Sequence, residues 1–289
     1  MDIVLALAAA LLFALGTVLQ QKAGLDQPTE GATSSLLVRM AQRPVWLAGI
    51  AADALGFVAQ AAALGLGRLA VVQPLLVTSV VFALPLGAKL TGQRIRPIDV
   101  GAAVLVVGAL VAFLTIANPS GGRDDAPFGD WAIAGGACAV ASLALVGLSR
   151  GRPAPQRAAL LGIATGILFA LSAALTKAVV DELDDGILDV FIGWHVYALI
   201  VVGYASMTLN QLALNSGALA PAVATSMAFD PITSVVLGVT LLEESLHSTA
   251  LGNVATIVAL VAALVGMGIL ARTQSQTTTT KPLSAPATA

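Results

Sequence analysis

The chain has 289 residues, of which 57% are hydrophobic and only 10% charged, and its formal net charge is −2. Mean hydropathy is +0.91, whereas a soluble domain carries about 25% charged residues. A water-soluble core is therefore excluded. Apolar runs of 18 or more residues recur along the chain, and each is long enough to cross a bilayer core of about 30 Å.

The expected fold is all-α, a polytopic helical membrane protein with nine transmembrane helices. In chain order the spans are predicted at 3–20, 44–66, 69–90, 98–117, 130–149, 158–177, 190–214, 218–242 and 250–271. Polar and Gly/Pro-rich clusters such as NPSGGRDDAPFGD and SRGRPAPQR mark the breaks. The first run, IVLALAAALLFALGTVLQ, follows Asp2, with no Lys or Arg before it and no clear cleavage site after it. It reads as a retained helix rather than a signal peptide. The one cysteine, Cys138, permits no internal disulfide and reads as a small packing residue. The segment 273–289, TQSQTTTTKPLSAPATA, is polar and is expected to be a disordered cytoplasmic tail.

Nine spans put the two termini on opposite sides. Of the 14 basic residues, Arg68, Arg123 and Lys177 fall in loops of one side and all the others in loops of the opposite side. By the positive-inside rule the richer side is cytoplasmic, which places the N-terminus outside and the C-terminus inside a plasma (inner) membrane. The acidic run DELDDGILD, 181–189, falls outside.

The halves of the chain resemble each other. LLFALGTVLQQKA in span 1 aligns with ILFALSAALTKAV in span 6, and ALGLGRLA at 63–70 aligns with ALNSGALA at 213–220. The plan is an inverted 4+1+4 repeat. A first four-helix repeat occupies 1–117, a linker helix 118–156, and a second, inverted repeat 157–272. The loop after span 3, KLTGQRIRP, is basic, and its counterpart after span 8, LLEESLHST, is acidic, as inversion requires. Inverted repeats are the architecture of many secondary transporters, with the site between the halves at mid-membrane.

The stretch AGIAADALGFVAQAAALGLGRLAVVQPL at 48–75 resembles the NIPA-like magnesium transporters of the drug/metabolite transporter superfamily, at Gly56, Val58, Ala59, Ala62, Ala63, Val72, Pro74 and Leu75. The stretch GALAPAVATSMAFDPITSVVLGVTLLEE is more similar to the EamA-type members of that superfamily. The resemblance implies transport, and the first half implies magnesium. Where the NIPA-like pattern has a glutamate this chain has Phe57, and Asp53 is the nearest acid.

Asp230 is predicted near the centre of span 8, where an ionised carboxylate costs about 2.5–3.5 kcal/mol on insertion scales. Pro231 next to it removes the N–H that the Met227 carbonyl would accept from, and Pro85 lies near the matching place in the first half. A helix break is expected at both prolines. Asp53 is a second mid-membrane acid, and Gln60 shares its helix face. Asn210, with Gln211 beside it, is the repeat counterpart of Gln60. The candidate substrate- or ion-binding residues are therefore Asp230, Asp53, Gln60, Asn210 and Gln211, with Asp230 and Asp53 as candidate metal ligands. The blander alternatives are a proline kink for Asp230 and interhelical hydrogen bonding for the amides.

Four other features read as structural. Lys22 and Lys177 are expected to snorkel to the interface. Glu243 and Glu244 are expected in solvent, and His195 beside Trp194 is expected as an interfacial anchor. Gly162 and Gly166 form a GxxxG element for packing within the subunit.

Two mid-membrane acids and no mid-membrane base point to a secondary transporter of a small solute. The leading expectation is a cation such as Mg2+, for which oxygen ligands are suited. The alternative is proton-coupled export of a small metabolite or drug. A further alternative is a non-transporting accessory subunit of an envelope complex. An enzyme is not expected, because AADAL and AFDPI are not the paired contexts of an intramembrane aspartyl protease, and Ser216 lacks a nucleophile element. No cofactor is expected. The expected partners are membrane lipid, a small-molecule or ion substrate and, as an open option, a second copy in a homodimer, with no nucleic acid.

Overall fold

A computed structural model describes residues 1–25, 43–246 and 250–279. Among these the chain is helical apart from one pair of two-residue strands. Helix α1 (Asp2–Leu25) is followed by α2 (Pro44–Leu66), α3 (Leu69–Leu76), α4 (Ser79–Thr91) and α5 (Pro97–Ala117). Strand β1 (Ser120–Gly121) leads to α6 (Phe128–Ser149), α7 (Ala154–Asp185), α8 (Ile187–Ile192), α9 (His195–Leu214) and α10 (Leu219–Thr240). Strand β2 (Glu244–Ser245) precedes α11 (Ala250–Thr279).

Local signals set several of these ends. Prolines 44 and 97 open α2 and α5, where the missing N–H has no helical partner to lose. The Arg96 backbone N–H donates to Asp99 Oδ2 at 2.8 Å, closing the first turn of α5. Gly92, at φ +71°, ends α4 in the left-handed region.

Among the described residues eight helical segments are long and apolar enough to cross a membrane, with α3 and α4 together forming one such span, Leu69–Thr91. The chain is thus a membrane-embedded helical protein. Large apolar side chains such as Ile133, Leu143, Val201 and Tyr204 stand exposed on the outer faces of α6 and α9, as lipid contact requires. Within α11 the apolar stretch is shorter, Val254–Leu270. This helix continues through Thr279, so the first seven residues of the segment expected to be disordered are helical; 280–289 lie outside the described residues.

Several predicted features differ. Helix α7 runs on to Asp185 and ends at Gly186, so the acidic run begins as the last turn of a helix rather than a loop. Residues 187–192 form the separate helix α8, and the next span starts at His195. Neither Pro231 nor Pro85 interrupts its helix. The break lies at Val77 and Thr78. There the Val77 N–H donates to Pro74 O at 3.3 Å and the Thr78 N–H to Leu75 O at 3.0 Å. These short-range bonds tighten the turn, and the Thr78 hydroxyl adds a bond to Leu75 O at 2.6 Å. Pro74 sits just before this break, in the position that the sequence reading gave to Pro85.

Helix α7 is the hub. It packs against α2, α6, α9 and α10, while α1 packs against α2, α3 and α4, and α5 packs against α11. The central cluster is built from small and branched residues, including Ala63, Leu64, Leu69, Val72, Ala170, Leu171, Ala174 and Leu175. Lipid tails are as apolar as leucine, so close packing of small residues holds such helices together.

Gly162 and Gly166 act within the subunit as expected. A Cβ at Gly166 would stand 2.7 Å from Ser226 O and 2.8 Å from the Asp230 backbone nitrogen, and one at Gly162 would collide with Thr225 and Ala222. The two glycines let α7 lie directly on α10 beside Asp230. Gly166→Leu is expected to force these helices apart and to destabilise the protein by about 1–3 kcal/mol, the usual range for overpacking. A lowered thermal midpoint in detergent would register it.

Candidate functional site

Between the helices lies a cavity of about 220 Å3. Its polar lining is Asp230 from α10, Gln60 from α2, Gln73 from α3 and Ser79 from α4. Phe13 of α1, Met227 of α10 and Met267 of α11 contribute apolar walls. Asp230 accepts one side-chain hydrogen bond, from the Ser234 hydroxyl to Oδ1 at 3.4 Å. Pro231 follows it in the helix and is buried, and Met227, whose carbonyl the proline deprives of a donor, reaches the same cavity.

The sequence reading missed Gln73. Its side chain is 3% exposed, and its Nε2 finds no hydrogen-bond partner. A buried polar group left unpaired costs about 1–3 kcal/mol. The signal was present in the sequence: Gln73-Pro74 repeats the polar-proline pair of Asp230-Pro231, and each pair supplies a cavity residue.

The other predicted residues separate from this group. Asp53 does not line the cavity; it accepts a hydrogen bond from Gln20 of α1. Gly16 of α1 makes room for the Asp53 carboxyl, and Gly49 for the Gln20 side chain. Asp53 and Gln20 thus tie α1 to α2. The candidate metal pair of Asp230 and Asp53 is not assembled in one pocket, and among the described residues no group of three or more His, Cys, Asp or Glu could hold a metal ion. Asn210 and Gln211 sit on α9 away from the cavity, Gln211 exposed. Pro85 borders a separate apolar groove between α4 and α5. Phe57 is 49% exposed, on the outer face of α2.

A second polar group closes one end of the bundle. Lys177 was expected to snorkel, yet it is 3% exposed. Its Nζ donates to Leu64 O at 3.0 Å, Gly67 O at 2.9 Å and Asp124 Oδ1 at 2.6 Å. Glu244 was expected in solvent, yet it is buried. Its carboxylate accepts the Leu69 N–H at 2.6 Å and the Ala70 N–H at 2.9 Å. Burial pushes the Glu244 carboxyl above the usual carboxylate range, opposed by these two N–H groups. Glu243 is the exposed one of the pair and stands 3.3 Å from Arg123. Arg123 also donates to Asp130 at 2.6 Å and to Leu241 O at 2.9 Å, and Arg68 donates to Gly121 O at 3.1 Å. Strands β1 and β2 pair antiparallel here, Ser120 with Ser245 and Gly121 with Glu244.

His195 is also more than an interfacial anchor. It is 4% exposed, with Nδ1 2.7 Å from Glu182 and Nε2 3.2 Å from Asp125. Trp131 donates to the same Asp125 oxygen at 2.8 Å. The three basic residues of the poorer side, Arg68, Arg123 and Lys177, thus gather at one end, around a polar recess of about 370 Å3.

An uncharacterized protein of Corynebacterium glutamicum is 31% identical over 283 residues, which cover 94% of this chain and 95% of that protein. The two belong to one family. The likeness runs through both halves of the chain and so includes the cavity helices and the end cluster. No family model matches the chain, and no solved structure does.

Lys177→Met would leave the Leu64 and Gly67 carbonyls and Asp124 without their donor. A destabilisation of about 1–3 kcal/mol is expected, and Lys177→Arg should not restore it, because three converging acceptors suit a compact ammonium rather than a planar fork. Thermal unfolding of the purified variants would measure both.

Proposed function

We propose that this chain is a secondary transporter that carries a small cationic solute through the central cavity, with Asp230 as its counter-charge. The observation that carries the reading is the cavity itself. One carboxylate, two carboxamides and a hydroxyl converge there at the depth of the spans. Intramembrane ionisable residues are costly and mark ion and substrate pathways.

The inverted 4+1+4 arrangement of nine spans belongs to this proposal. The helix contacts support it. In each half the first helix packs on the second and third spans, α1 on α2, α3 and α4, and α7 on α9 and α10. The last spans of the two halves, α5 and α11, pack on each other. The likeness to the drug/metabolite transporter superfamily points the same way. The bonds of Lys177 and Glu244 join the second half to the first at one end. In alternating access they hold that end shut and release it when the cavity turns to face it. In this reading that end faces outward from a plasma membrane, and the C-terminus is cytoplasmic.

Two experiments test the proposal. A reporter fused after Arg272 should read cytoplasmic; a signal from the other side would overturn the nine-span topology. The purified protein in liposomes should show saturable solute flux that Asp230→Asn abolishes or strongly impairs. That variant should stay folded, since it removes a charge from an apolar region. Gln60→Leu should also reduce flux, and Asn210→Leu should not, because Asn210 lies outside the cavity. Full flux in Asp230→Asn would defeat the proposal.

A further inference from the structure

Resting on the transport reading, we infer that the solute of the central cavity is a compact organic monocation, an ammonium that carries its own hydroxyl or carbonyl, rather than a hydrated divalent metal ion. Three independent features of the cavity lead there.

The first is charge. Among the described residues Asp230 is the one ionisable side chain in the lining. A monocation balances it. A divalent ion would leave a net positive charge in a low-dielectric pocket, where uncompensated charge is strongly disfavoured. Asp53, the second carboxylate read as deep in the spans, hydrogen-bonds Gln20 on α1 instead.

The second is hydrogen bonding. Gln73 is buried, its Nε2 has no hydrogen-bond partner, and it lines the cavity together with Gln60. A small divalent cation such as Mg2+ keeps several of its waters, and these point only hydrogens outward. They can donate to Asp230 and to a carboxamide oxygen but accept nothing from the unpartnered Gln73 Nε2. A hydroxyl both donates and accepts, so it meets the carboxamide in either orientation.

The third is shape and wall chemistry. The cavity of about 220 Å3 equals about seven water volumes at roughly 30 Å3 each, room for a molecule of several heavy atoms. Phe13 contributes an aromatic wall, and aromatic rings favour a nearby ammonium. Met227 and Met267 offer soft walls that adapt to an alkyl body. A metal site would instead be lined by oxygen on most sides.

The test is a ligand series on the full-length protein in detergent at constant ionic strength, read by thermal stabilisation and fitted for apparent affinity. The probes are ethanolamine, ethylamine, 1,2-ethanediol and MgCl2. Ethanolamine is expected to bind about tenfold more tightly than ethylamine, the worth of one hydrogen bond to a buried amide. The diol and MgCl2 should not stabilise. Gln73→Leu should bring ethanolamine down to ethylamine and leave ethylamine unchanged; Gln73→Met serves if the leucine variant is not monodisperse. Asp230→Asn should abolish the binding of both amines. Stabilisation by MgCl2 beyond either amine would overturn the inference and leave transport standing. So would equal binding of the two amines, or binding of neither. Full flux in Asp230→Asn liposomes would instead defeat the transport reading itself, so the two failures are told apart.

Discussion

The turn between α2 and α3 leaves backbone groups buried at one end of the bundle, and the rest of the structure depends on how they are met. The carbonyls of Leu64 and Gly67 and the N–H groups of Leu69 and Ala70 lie where two helices end and begin. A buried backbone group left unpaired costs about 1–3 kcal/mol. Lys177 answers the carbonyls and Glu244 the N–H groups. Both answering residues come from the second half of the chain, so backbone satisfaction at one turn becomes a bond between halves. That bond holds α3 in place, and α3 carries Gln73 to the cavity.

The cavity follows from the same logic. Gly162 and Gly166 bring α7 onto α10 beside Asp230, and the Asp230 side chain shares a cavity with residues of the first half. The tightened turn at Val77 and Thr78 lies between Gln73 and Ser79, and both residues line one space. The polar residues are few and the walls are mostly apolar. One carboxylate, two amides and one hydroxyl are the polar groups that this lining brings together.

Some of this was legible in advance. The polar-proline pair at Asp230 marked a real cavity residue, and the GxxxG pair marked a real close approach, because both signals are local. Lys177, Glu244 and His195 were read as interfacial because each falls at the end of a predicted span, where a charged side chain ordinarily reaches water. Their burial depends on loops that are distant in sequence and fold back over that end: Asp124 and Asp125, and the pairing of β1 with β2. Asp53 was read as a lining residue from its depth, and Asn210 from its alignment with Gln60. Depth alone does not say which face of a helix turns inward, and in helices apolar all round no polar stripe marks the exposed side.

By itself the sequence determined that the chain is a helical membrane protein, where most of its spans lie and which of its acids lies deep in the apolar region. Run length, charge content and proline positions carry that information, since the cost of polar groups in hydrocarbon acts residue by residue. Only the tertiary structure decided which polar residues meet: Gln73 with Asp230, Lys177 with the end of α2, Glu244 with the start of α3, and Asp53 with Gln20 instead of the cavity. Those partnerships depend on helix rotation and on loops closing over one end. They are settled by packing between segments more than 100 residues apart in the case of Lys177 with Leu64 and Gly67, and no local pattern encodes such a meeting.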